Sequence, residues 1–267
     1  MKIKKHLIVI ASITTLLACN TKVKKGNNSI LTQEEPTPEV VTLSKAELIL
    51  NEAIEAHGGD LYNTAYYQFE FRGDTYKFKN NGQNFEYTKI SRKDDALTED
   101  VLKNDLFSRK EDGHFLALTQ KKINSAKGAL NSVIYFATLP YKLNDASVNK
   151  TFIENTTIKG EPYAVIGVTF NEEGGGEDFD DAYHYWINTT NHKIDYLAYN
   201  YSVNEGGVRF RSAYNKRVVN GITFQDYINY EAEVGTPLKD LPKLYEAGEL
   251  KELSKIETEN VVNLNKQ

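Results

Sequence analysis

From Ala65 to Tyr230 large apolar side chains return at every second position, and this rhythm limits what the chain can become. In AYYQFEFRG, Tyr67, Phe69 and Phe71 alternate with Gln68, Glu70 and Arg72. Successive side chains of an extended backbone point to opposite faces, so the stretch is a strand with one apolar and one wet face. The pattern recurs in Tyr76 and Phe78, in Phe85 and Tyr87, and in YAVIGVTF, AYHYWI, IDYLAYNYSV, VRFRSAY and ITFQDYINY. Short polar stretches part these runs: Asn80-Asn81-Gly82, NEEGGGED, NTTNHK, NEGG and VVNG. Connections so short join neighbouring antiparallel strands and leave no room for crossover helices.

Three segments carry helical spacing instead. Ser44 and Glu47 have the offset of a capping box, Ala46, Ile49, Leu50, Ala53, Ile54 and His57 share a stripe, and Gly58-Gly59 supplies a stop, which predicts a helix from about 45 to 57. His57 falls in its last turn, where the carbonyl ends favour a cation. SAKGALNSVIYFATLP, with Ala126, Leu130, Val133, Ile134 and Ala137 on one stripe, and LPKLYEAGELKEL near the end read as two more. A sheet with one greasy face must bury it under these helices or curl. The expected class is α+β: a single curved antiparallel β-sheet of about nine to eleven strands wrapped on two or three helices. Seventeen tyrosines and 12 phenylalanines suit a concave face, since tyrosine joins an apolar body to a polar tip.

The first residues carry Lys2, Lys4 and Lys5, followed by an apolar run from Leu7 to Leu17. That run is too short to span a hydrocarbon core of about 30 Å and reads as a signal peptide over 1–18. It ends Leu16-Leu17-Ala18-Cys19, which resembles the bacterial lipobox. Cys19, the chain's single cysteine, would then carry acyl chains that hold the protein on a membrane. The alternative is an ordinary secretory site with an incidental cysteine. Residues 19–41, rich in Asn, Lys, Thr and Glu, read as a disordered tether with a span of roughly 25 Å. Residues 42–267 form one domain.

Residues 1–18 hold three lysines and no acids, so their removal takes the formal charge from −5 to −8. An acidic body is repelled by phosphate backbones, which argues against a nucleic-acid partner. Chemistry leaves little trace: His57, His114, His184 and His192 show no zinc spacing, no G-x-S-x-G elbow occurs, and Gly174 to Gly176 are flanked by acids with no lysine to follow. No cofactor is expected, and Glu70, Asp181 and Asp226 form a catalytic set only if the fold gathers them. The run holding Glu172, Glu173, Glu177, Asp178, Asp180 and Asp181 offers calcium several carboxylates, with Glu177, Asp178, Asp180 and Asp181 as ligands, though its spacing is not that of an EF-hand. The leading reading is a solvated acidic loop with no metal. Arg209 and Arg211 share a strand face and could grip a carboxylate or a headgroup phosphate at a rim, or lie on a wet outer face paired to acids. Trp186 could line a hollow or pack in a core.

The motifs AIEAHGG (Ala53 to Gly59, with His57, Gly58 and Gly59), LPYKLND, DYLAYNY and RFRSAYNKRVVNGITFQDY, with the lipobox and the long meander, resemble an uncharacterised family of Gram-negative envelope lipoproteins. That family is similar to the LolA and LolB lipoprotein-carrier superfamily. The resemblance implies an open half-barrel with helices in its mouth, whose hollow holds acyl chains in the better known relatives. The turns at Asn80 to Gln83, Asn188 to Lys193 and Asn204 to Gly207 lack the exposed apolar residue expected of a LolB-type acceptor. The functional expectation is an outer-membrane lipoprotein facing the periplasm that binds a lipid or other hydrophobic ligand through Tyr67, Phe69, Phe71, Trp186, Arg209 and Arg211. The competing readings are an envelope module binding a protein partner and an enzyme of unrecognised type.

Overall fold

The structure, a computed structural model, describes residues 42–171, 181–202 and 205–266. Cys19, the signal peptide and the tether lie outside these residues, as do Glu172, Glu173, Glu177, Asp178 and Asp180. The chain opens with α1 (Lys45–His57), whose capping box forms as expected: the Ser44 amide donates to Glu47 Oε2 at 2.7 Å and the Glu47 amide to Ser44 Oγ at 3.3 Å. Gly58, at φ 149°, turns the chain out of it.

A meander follows: β1 (Tyr66–Phe71), β2 (Asp74–Asn81), β3 (Asn84–Lys93), β4 (Ala96–Lys103), β5 (Leu106–Glu111) and the short β6 (His114–Phe115). Helix α2 (Gln120–Ala137) leads to a second meander of β7 (Val148–Ile158), β8 (Glu161–Phe170), β9 (Ala182–Asn188), β10 (Ile194–Tyr201), β11 (Gly207–Val219) and β12 (Ile222–Ala232). Helix α3 (Leu241–Ala247), β13 (Lys251–Ile256) and β14 (Glu259–Asn263) complete the described chain. All ladders are antiparallel, and they make two seven-stranded sheets, ordered β14-β1-β2-β3-β4-β5-β6 and β13-β12-β11-β10-β9-β8-β7. The curved antiparallel α+β architecture is as expected. The strands number fourteen among the described residues, more than foreseen, and hydrogen bonding parts them into two sheets.

The first sheet buries one face. Tyr67, Phe69, Tyr76, Phe78, Tyr87 and Leu102 pack there against Leu130 and Ile134 of α2. The second sheet is covered on both sides, which is why β8, β9 and β12 read as nearly continuous buried runs. Its inner face meets Ala46, Leu50 and Ala53 of α1. Its outer face sets Val165, Trp186, Tyr196 and Phe210 beneath Leu241 of α3. The two sheets join where Phe224 of β12 meets Tyr67 of β1, ring centroids 5.5 Å apart, and Tyr67 Oη donates to the Val219 carbonyl at 3.1 Å.

Two local expectations differ. LPKLYEAGELKEL is helical only to Ala247, because Gly248 takes the left-handed conformation at φ 71° and releases the chain into β13. His57 carries no charge at the end of α1: it is fully buried, its Nδ1 lies 2.8 Å from the Ala53 carbonyl, and desolvation pulls its pKa down to about 3, with Lys193 and Lys216 adding to the effect. The cation at that helix end is Lys193, whose ammonium donates to the Ala56 carbonyl and to Thr223 Oγ1.

Candidate functional site

Helix α2 crosses between the sheets and leaves space beneath it. Leu130 and Ile134 are its fully buried residues, and they face the first sheet. On the other side Ser132, Tyr135 and Phe136 look onto a cavity of about 770 Å³. Its far wall is the inner face of the second sheet, with Phe170, Tyr183, Tyr199, Tyr201 and Arg211, and the first sheet contributes Phe85, Tyr87 and Leu102. A volume of this size is in the range that ligand pockets occupy.

The aromatic lining is connected. Tyr135 and Phe136 meet edge-on at 5.3 Å, Tyr135 reaches Phe170 at 6.2 Å, Phe170 reaches Tyr183 at 5.6 Å, and Tyr183 stacks on Tyr199 at 5.3 Å, which returns to Phe136 at 5.7 Å. Such rings present wide apolar surface while their hydroxyls find partners at the edges. Tyr135 Oη and Tyr185 Oη are 2.8 Å apart, and burial raises the pKa of both phenols, so the pair stays neutral.

A second cavity of about 240 Å³ lies on the other side of Phe136, lined by Phe71, Ala137, Gln225, Tyr227, Asn229 and Thr258. Ser132, Phe136 and Arg211 belong to both cavities. Arg211 is 7% exposed, its guanidinium lies 3.9 Å over the Phe136 ring, and its Nη2 donates to Tyr199 Oη at 2.9 Å. The neighbouring face residue Arg209 is less buried and is tied to Tyr201, with Nη2 donating to its hydroxyl at 2.6 Å.

The residues singled out from the sequence therefore separate. Arg211 lines both cavities and Phe71 the smaller one. Tyr67 and Phe69 are enclosed in the first sheet's core, stacked on Phe78 and Tyr76. Trp186 packs on the outer face of the second sheet, 5.8 Å from Phe210, because its strand puts Tyr183 and Tyr185 on the inner face. Gly58 and Gly59 end α1, where a side chain on Gly58 would meet Ile222 and Tyr62 within 3.2 Å. Asp181 is buried and lines the large cavity. Glu70 receives a hydrogen bond from Asn260, and Asp226 from Thr258 and Asn215, so each carboxylate has partners of its own. Among the described residues no three His, Cys, Asp or Glu side chains come together as metal ligands. Tyr135, Phe136, Tyr183 and Tyr199 were not singled out from the sequence. Period-two spacing in AYHYWI and LAYNY does mark the two sheet tyrosines, but the stripe on α2 points to the side that meets the first sheet.

Similar structures have been solved. The LolA superfamily protein NE2245 of Nitrosomonas europaea aligns with a TM-score of 0.50 at 13% identity, covering 82% of this chain and 93% of that one. An outer membrane lipoprotein-sorting protein domain from Vibrio parahaemolyticus gives 0.40 at 6% identity, covering 76% and 85%, and a DUF1329 family protein from Desulfovibrio piger gives 0.39 at 7%, covering 83% and 94%. The first of these likenesses shows the fold. No curated protein matches the chain in sequence. A family model spanning residues 44–258, and so nearly the whole described domain, matches the chain, whose fold is similar to that of NE2245: the chain belongs to the family of unknown function DUF6503.

Proposed function

We propose that this protein is an envelope lipoprotein whose domain binds a lipid or another hydrophobic ligand between α2 and the second sheet. In this reading residues 1–18 are a signal peptide, Cys19 carries the acyl anchor, residues 19–41 are a tether, and the domain of residues 42–267 works at the periplasmic face of the outer membrane. The observation that carries it is the cavity of about 770 Å³, in which Tyr135, Phe136, Phe170, Tyr183 and Tyr199 make an aromatic wall while Asp105, Lys127, Lys142 and Asp145 also line it. An apolar wall beside polar groups suits a small molecule with a hydrophobic part and a polar end. The fold shared with the LolA superfamily protein NE2245 supports the reading, since the resemblance drawn from the sequence implies a hollow that takes up acyl chains.

Lipid extraction and mass spectrometry of the Cys19→Ala full chain, purified without detergent, provides the test. A lipid that co-purifies with wild-type side chains and is lost from Tyr183→Asp/Phe136→Asp supports the reading. Absence of any bound lipid, together with no uptake of the neutral fluorophore N-phenyl-1-naphthylamine, overturns it. Labelled palmitate incorporated at Cys19 in cells checks the anchor separately.

A further inference from the structure

An arginine is the one side chain that cannot escape burial by losing its proton. Two other guanidiniums of this domain have carboxylates: Arg109 lies on Asp100 at 2.5 and 2.6 Å, and Arg217 on Asp226 at 3.2 Å, whereas the half-buried Arg209 is held by the Tyr201 hydroxyl. Arg211 is the more buried, at 7% exposure, and no carboxylate among the described residues pairs with it. Its Nη2 reaches the Tyr199 hydroxyl, and Phe136 covers one face, but Nε and Nη1 have no hydrogen-bond partner among the described residues. A guanidinium has five N–H donors arranged as two edges that each fit an oxyanion. Tyr199 takes one hydrogen of Nη2, so whichever it takes, one complete edge stays free.

Its position gives the free edge a use. Arg211 and Phe136 stand where the aromatic cavity meets the smaller one. Gln225 Oε1 and Asn229 Oδ1, also unpartnered beside the smaller cavity, are acceptors that take a hydrogen from a ligand hydroxyl and not from an oxyanion, so the buried, unpartnered donors for an anion there are, among the described residues, those of Arg211 alone. Aromatic rings on one side and a donor edge on the other are the two halves of a site for an amphiphile. The chain as a whole is acidic, so long-range charge does not select for an anion here. A single desolvated cation does.

We propose that Arg211 anchors the oxyanion of an amphiphile, a fatty-acid carboxylate or a lipid phosphate, whose tail lies along the aromatic cavity. The inference rests on the hydrophobic-ligand reading above and adds the headgroup class to it. A bound oxyanion would supply the charge and the acceptors that Arg211 lacks, and it would be held by charge-assisted hydrogen bonds, the strongest kind available to it.

The test is displacement of N-phenyl-1-naphthylamine, an uncharged probe of the cavity, from the Cys19→Ala full chain by dodecanoic acid, dodecyl phosphate and 1-dodecanol, with and without Arg211→Met. One charge-assisted hydrogen bond corresponds to at least about a tenfold change in affinity, so the better anion is expected to displace at a tenfold lower concentration than the alcohol. Which of the two anions does so tells carboxylate from phosphate. In Arg211→Met that gap is expected to close while probe binding persists. A probe that binds with no gap in the parent chain, or with a gap that survives Arg211→Met, overturns the role of Arg211 and leaves the cavity reading standing. A probe that does not bind at all overturns both. If Arg211→Met does not keep its fold by circular dichroism, Arg211→Lys replaces it, keeping the charge and losing the planar edge. A gap narrowed several-fold is then expected, and an unchanged gap overturns the proposal.

Discussion

The carboxylate of Asp226 on β12 accepts the backbone N–H of Thr258 at 2.9 Å, at the place where the chain leaves β13 in one sheet and enters β14 in the other. The same carboxylate receives Thr258 Oγ1 at 3.2 Å, Asn215 Nδ2 at 2.6 Å and Arg217 Nη1 at 3.2 Å, while Arg217 Nη2 donates to the Thr258 carbonyl. Asp226 thus gathers a bulge of β11 and the crossing between the sheets around one nearly fully buried group.

Asp226→Ala should therefore lower stability by about 3–5 kcal/mol, since it strands a partly buried guanidinium and an amide together. Chemical denaturation checks this. Adding Arg217→Met to the variant should recover part of the loss, because the uncompensated charge is then gone.

Tyr135 and Tyr185 share one hydrogen bond across the helix–sheet contact beside the cavity. Removing either hydroxyl alone should cost about 1–3 kcal/mol by leaving the other without a partner, whereas the double Tyr→Phe variant should fall well short of the sum. A double-mutant cycle from urea melts reads the coupling.

Burial makes His57 a source of acid sensitivity. Its folded pKa of about 3 lies below the 6.5 of the unfolded chain, so between those values the unfolded state binds a proton that the folded state refuses. Its stabilising effect is present above pH 6.5 and is lost as pH falls towards 3. Relative to His57→Asn, the wild-type chain should lose about 2 kcal/mol between pH 7 and pH 5, the slope steepening towards about 1.4 kcal/mol per pH unit near pH 5. Parallel denaturation curves at the two pH values measure it, and a constant difference between the proteins would contradict the assignment.

Gly58 has a φ of 149°, and a Cβ there would sit 3.1 Å from Ile222 Cγ1 and 3.2 Å from Tyr62 Cε2. Gly58→Ala should lower stability by about 1–3 kcal/mol through backbone strain and the displaced contacts. A thermal melt alongside an exposed control, Gly73→Ala, which meets nothing within 4 Å, separates the crowding from the conformational cost.

Local signals explain why some elements could be read from sequence and others not. Helix α1 announces itself because Ser44, Glu47 and Gly58 act within a few residues of one another. The aromatic strands do so because one of their faces is buried, as in β1 and β2. Strand β4 escaped notice because its buried positions include Asp100, whose charge is answered by Arg109 on β5, a pairing across strands that periodicity in hydrophobicity does not register. Alternation did place Arg209 and Arg211 on one face, and correctly so. What it could not tell is which face α2 covers, and that alone decides whether Arg211 lies in water or against Phe136. Trp186 illustrates the same gap: in a sheet packed on both sides, a large apolar residue signals burial without saying in which layer.

The pairing of β1 with β14 joins residues almost two hundred positions apart, such as Tyr67 and Asn263. During synthesis the opening meander must wait, with one edge unmated, until nearly everything after it has emerged. Folding should accordingly be slow and governed by that late closure, and a polypeptide cut short before Glu259 would keep a sticky margin able to recruit other chains.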